Sequence, residues 1–121
     1  MQINEAFAAL VARRKEEARQ RVDRFSADVL AHPVSALSGS TDAALKYGAM
    51  LKVWTNIDEW TSEKSMIQIA ELAVWNLVRL ASHPECSSNT AGNVFARWEI
   101  AAWSEATSVI EEEIKVARAA A

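Results

Sequence analysis

A lone cysteine, Cys86, leaves the chain without an internal disulfide and suits a reducing compartment. Glycine and proline are almost as scarce, at 3 and 2 of 121 residues. Gly39, Gly48 and Gly92 stand apart from one another, so no glycine-rich loop is present to cradle a phosphate. No uncharged apolar run approaches the ~18 residues that a membrane span needs. The first residues, MQINEAFAALVARR, put Glu5 ahead of the basic residues, the reverse of a secretory leader, so the expected location is the cytoplasm. With two histidines there is no pair of Glu-x-x-His motifs, and a di-iron bundle is ruled out. No cofactor is expected.

What the chain has in quantity is helix-forming residues. Half of it is hydrophobic and Ala, Glu, Arg and Leu abound, which with few breakers argues for an all-α fold. The length suits one domain that buries roughly two-thirds of its unfolded surface. The formal net charge is −3, which argues against a general nucleic-acid binder. The imbalance lies in the second half: residues 1–60 carry 8 basic and 8 acidic side chains, residues 61–121 carry 5 and 8.

Four helices are expected, over about 4–31, 42–60, 65–82 and 91–118. Asn4 is a good N-cap for the first, with Glu5 placed to favour the positive helix end. Its apolar stripe, Phe7, Leu10, Val11, Ala18, Val22, Phe25 and Val29, is narrow, and Pro33 disfavours helix just before it. The loop HPVSALSGS follows, and Thr41 is the expected cap of the second helix, with Asp42 in its first turn. Gly48 inside that helix costs about 1 kcal/mol against Ala and points to a close neighbouring helix. Ser65 with Gln68 fits a capping box for the third helix, with Ser62 as rival cap. The second loop, PECSSN, leads to Thr90 as cap of the fourth. That helix carries a regular seam, Ala96, Ile100, Trp103, Thr107, Ile110, Ile114 and Ala117, widened by Phe95, Trp98, Ala102, Ala106 and Val109. Leu30-Ala31-His32-Pro33 is echoed by Leu80-Ala81-Ser82-His83-Pro84, and Thr41 precedes Trp54 as Thr90 precedes Trp103. The chain therefore reads as two helical hairpins forming an up-down-up-down four-helix bundle, with long first and last helices. The basic residues Arg13 to Arg24 would come level with Glu105, Glu111, Glu112 and Glu113.

The third helix, SMIQIAELAVWNLVRLA, is the most apolar stretch. At about 100° per residue, Gln68, Glu71, Trp75 and Arg79 fall on one narrow line with Asn76 at its border, and the rest of the circumference, roughly 240°, is apolar. An ordinary surface helix shows an apolar stripe of about 100° or a little more. Such a helix either has neighbours on its apolar sides, in helices two, four and one, or it covers a second partner. Trp75 stands on the line that should face water. Of the five tryptophans, Trp54, Trp98 and Trp103 lie on apolar faces and read as core, whereas Trp60 and Trp75 fit an interface better.

Three constellations could carry chemistry. His32, His83 and Cys86 would meet at one end of the bundle and could ligate zinc, but a His-Pro stop at a helix C-terminus explains both histidines without a metal. The arginines of helix one could meet nucleic acid, but Glu16, Glu17 and Asp23 interleave with them and no aromatic residue does, so a solvated face is the simpler reading. Arg79-Leu-Ala-Ser-His83 resembles the Arg-x4-6-His element of HEPN-type ribonucleases, which are also helical bundles. The spacing here is one residue short, and Leu80 stands where a polar residue usually follows the arginine. The resemblance would make His83 the general acid or base and Arg79 the phosphate contact.

The apolar surface exceeds what one four-helix core needs, so the expectation is a non-enzymatic protein that binds another protein, itself, or both. The interface candidates are Trp75, Trp60, Glu71, Arg79, Glu105, Glu111 and Glu112. In size, charge and helix content the chain is similar to phage-encoded anti-defence proteins such as anti-CRISPR proteins, and to bacterial immunity proteins. That similarity implies an inhibitor or assembly factor; a self-assembling structural bundle is the plainer alternative.

Overall fold

The computed structural model describes residues 5–32, 39–82 and 91–120. They form four helices and, among the described residues, no strand: α1 (Glu5–Ala31), α2 (Ser40–Thr61), α3 (Met66–Ala81) and α4 (Ala91–Ala120). The expected caps Asn4 and Thr90, both prolines, and the positions of His83 and Cys86 lie outside the described residues.

Two helix ends show how local chemistry sets the boundaries. Ser65 caps α3 as its sequence implies: its Oγ accepts from the Gln68 backbone N–H at 3.2 Å, and Gln68 Oε1 accepts from the Ser65 N–H at 2.9 Å. Ser62 closes α2 instead, its Oγ donating to the Glu59 carbonyl at 2.9 Å. Thr41 is not the cap of α2. The Ala43 N–H donates to the Gly39 carbonyl at 3.0 Å, which opens the helical ladder early and draws Thr41 inside the first turn. Gly39 takes the cap position and offers no side chain to it, so Asp42 is the acidic group left to favour that end.

α1 packs on α2, while α2 and α3 both pack on α4. Lys15 meets Asp58 and Arg21 meets Tyr47, so α1 and α2 are antiparallel. Lys52 meets Glu99 and Trp60 stacks on Trp103, so α2 and α4 run in the same sense. Each helix contributes to one apolar core: Phe7 and Val11 from α1, Val53, Trp54 and Ile57 from α2, Met66, Ile69 and Ala73 from α3, and Trp103, Ala106, Ile110 and Ile114 from α4. Trp54 of α2 and Trp103 of α4 are both fully enclosed. The second half of α1 leaves this core. Phe25 there is half-buried and lies flat on Tyr47, with ring centroids 5.7 Å apart.

Of the two readings of the third helix, neighbours on its apolar sides or a face left for a partner, α3 does not have the first in full. It packs mainly on α4, and its contact with α2 is slight. Its fully buried residues, Met66, Ile69 and Ala73, form a single line at helical spacing. The helix therefore sits at the edge of the bundle, with the other side of its apolar circumference turned outward.

Gly48 does have the close neighbour its presence suggested. A Cβ built there would sit 3.5 Å from a ring carbon of Phe95 on α4, which is ordinary van der Waals contact. Close packing thus does not require glycine at this place. Gly48→Ala is expected to stabilise the fold by about 0.5–1 kcal/mol through helix propensity, read as a raised urea midpoint. A loss of stability would mean that α2 and α4 approach more closely than described.

Candidate functional site

The outer face of α3 is the candidate site. Val74 and Trp75 stand side by side and Val78 one turn on, and they are 42%, 61% and 57% exposed. They are three of the five large hydrophobic side chains exposed among the described residues; Leu30 and Val116, near the ends of α1 and α4, are the others. Single exposed apolar residues need no explanation, whereas adjoining ones on a helix face form a patch that water covers at a cost. Trp75 rises between two shallow hollows. One, of about 520 Å³, is lined by Lys64, Gln68, Glu71 and Leu72 with Trp75 itself. The other, of about 470 Å³, is lined by Ala70, Glu71, Val74 and Val78 on the indole's other side.

A short relay holds this surface in place. Asn76 Nδ2 donates to the Leu72 carbonyl at 2.9 Å, and Asn76 Oδ1 accepts from Arg79 Nη2 at 3.1 Å. The guanidinium so placed lies 5.4 Å from the centre of the Trp75 ring. A cation over an indole face contributes about 0.5–1 kcal/mol at an exposed site, and it limits the rotamers of both side chains. Trp75 is thus presented as a pre-ordered apolar plate with an arginine on its flank. Glu71, one turn before it, is exposed and has no ion-pair partner among the described residues.

The other candidates are placed differently. Trp60 is half-buried, packs against the core, and stacks on Trp103 at 5.7 Å with the rings 25° apart. Glu105 is bound to Arg14 at 3.0 Å, and the same guanidinium lies over the Trp54 ring. Glu111 and Glu112 are exposed. The expected register of α1 basic residues against the α4 acids holds at Arg14–Glu105 alone. Glu111, Glu112 and Glu113 form no ion pair with the basic residues of α1 among the described residues. Arg13 pairs within its own helix with Glu17, and Arg19 with Glu16 and Asp23; Lys15 crosses to Asp58 on α2. The Arg19 hydrogen bond holds the Glu16 carboxyl below its ordinary range. The pairs within α1 are exposed and describe a solvated face, whereas Lys15–Asp58 is part-buried.

Among the described residues no group of three His, Cys, Asp or Glu side chains could hold a metal ion. The zinc set needs His83 and Cys86, and the ribonuclease-like pair needs His83, which lie outside those residues. Arg79 for its part is engaged with Asn76 and Trp75. No helix is long and apolar enough to cross a membrane among the described residues.

Two polar features escaped the sequence reading. Glu99 is only 6% exposed, and Lys52 reaches it from α2 at 2.9 Å, its Nζ also lying over the Phe95 ring. The available signal was a charge among Phe95, Trp98, Ala102 and Trp103 on the apolar side of α4, since a buried carboxylate calls for a cation. Lys52→Met is expected to cost about 1–3 kcal/mol by leaving Glu99 unpaired, and the added Glu99→Leu change to recover most of it, as chemical denaturation would register. Trp98 is the second feature. It is half-buried, not core; its Nε1 donates to Asp42 Oδ1 at 3.1 Å, tying the starts of α2 and α4 together.

No protein-family model, curated protein or solved structure matches the chain.

Proposed function

We propose that this chain is a small acidic protein-interaction module, not an enzyme, that acts in the cytoplasm as an inhibitor or assembly factor by binding through the outer face of α3. One observation supports the reading above all: Val74, Trp75 and Val78 adjoin on an edge helix and stay exposed although the fold has a closed core elsewhere. Tryptophan is favoured at the centre of interfaces because it buries a large area and loses little side-chain entropy. In this reading α3 returns along α4 and completes an up-down-up-down order. The exposed Glu111 and Glu112 give the module an acidic edge suited to a target with a basic surface. If that edge takes part, association slows several-fold between low and physiological salt, and Glu111→Gln with Glu112→Gln removes the dependence.

The direct test is affinity capture from an extract of the source organism with the wild-type chain and with Trp75→Ala, each checked for native helicity. The proposal expects a protein retained by the first and lost with the second. Identical captures by both chains would overturn it.

A further inference from the structure

We infer that the α3 face is occupied by a second copy of this chain, as an antiparallel helix pair about a two-fold axis at Trp75. The inference rests on the reading of α3 as an interaction face and names its occupant.

The argument is one of self-complementarity. A two-fold interface places the same patch on both sides, so every feature must meet its own counterpart in reverse order. Around an axis at Trp75, each residue on one helix meets the residue equally far on the other side of position 75. Glu71 lies four residues before Trp75 and Arg79 four after it, on the same helical line. Antiparallel pairing therefore sets Glu71 against the partner's Arg79 twice, symmetrically, while the two indoles cross at the centre. Leu72 and Val78 are equally spaced about the same point and supply apolar contact on either side. A parallel pairing would set Glu71 against its own copy and Arg79 against its own.

Both charges are available for this role. Glu71 is exposed without a partner among the described residues. Arg79 donates to Asn76 and lies over Trp75, but meets no carboxylate there. A guanidinium has five N–H groups, and the bond to Asn76 leaves enough for a two-pronged contact with a carboxylate. The hollows beside Trp75 are open on the same face, and the exposed Val74 and Val78 extend the apolar strip. The strip also sets the strength. Sixteen residues span ~24 Å, so the pair buries less than the ~1,600 Å² of a standard interface and a micromolar dimer is expected.

Sedimentation velocity over a concentration series tests this, with the wild type, Trp75→Ala, Glu71→Arg and Arg79→Glu, helicity being checked for each. The wild type should pass from monomer to dimer as its concentration rises. Trp75→Ala should weaken self-association at least ~30-fold. Glu71→Arg and Arg79→Glu should each stay monomeric alone, because each sets like charges against each other twice. Mixed in equal amounts they should associate, since both crossed pairs then join opposite charges. A wild type that stays monomeric up to about 1 mM overturns the inference. So does a dimer indifferent to Trp75→Ala, or a mixture of the two reversed chains that stays monomeric. A monomeric wild type that still captures another protein through Trp75 would overturn self-pairing alone. A chain for which Trp75→Ala alters neither property would overturn the interaction face itself.

Discussion

Trp103→Ala is expected to lower the stability of the fold by about 3–5 kcal/mol, enough to consume much of the ~5–15 kcal/mol that a domain of ordinary stability has. Trp103 is 2% exposed and belongs to the cluster in which all four helices meet. Its removal leaves a cavity that α2, α3 and α4 cannot close together, because each is fixed by other buried residues: Ile57 on α2, Ile69 on α3 and Ile110 on α4. It also strips Trp60 of the ring it stacks on, a contact worth a further ~0.5–1.5 kcal/mol of that total. Urea denaturation should show a lower midpoint with an unchanged slope if the native state keeps its shape. A cost below about 1 kcal/mol would place Trp103 outside the core.

Trp75→Ala should do the opposite. The indole is 61% exposed, and its one described ring contact is the Arg79 guanidinium. Its loss should change stability by no more than about 0.5–1 kcal/mol. The effect on association should be far larger, at 2 kcal/mol or more, roughly a 30-fold weaker complex, as for a central aromatic anchor. The two tryptophans thus separate folding from binding. If Trp75→Ala unfolds the chain as Trp103→Ala does, the indole is a core residue and α3 has no free face. If it changes neither property, the patch has no role.

The helices themselves were legible because their signals are local. The Ser65–Gln68 capping box forms within four residues, and the i, i+3, i+4 spacing that nominated Trp54, Trp103 and Ile110 for the core is a property of one helix at a time. What was not legible is the order in which the helices lie against one another. The wide apolar circumference of α3 fits a central helix and an edge helix with an uncovered face equally well, and only the packing of α3 mainly on α4 separates the two. The same limit applies to charge. Arg14 and Glu105 were expected to come level and do, but the other basic residues of α1 that form ion pairs do so within α1 or with α2, and none meets Glu111 to Glu113 among the described residues. Glu99 needed both facts at once, an apolar row on α4 and the partner Lys52 on α2, and no single stretch contains them. At the site, Trp75 could be singled out because an indole on a polar line breaks the local pattern. The relay through Asn76 that seats Arg79 against it depends on side-chain rotamers, which periodicity does not specify.

The most direct test of the α3 face is the rate of tryptophan oxidation by hydroxyl radicals, resolved by mass spectrometry for Trp75 and for Trp103. It is measured on the dilute purified chain, on the concentrated chain, and on the chain in an extract of its source. The account predicts rapid modification of Trp75 and slow modification of Trp103 in dilute solution, with Trp75 becoming protected where the chain has a partner. Trp75 as slow as Trp103 in dilute solution, or as fast in the concentrated chain and the extract as in dilution, would contradict it.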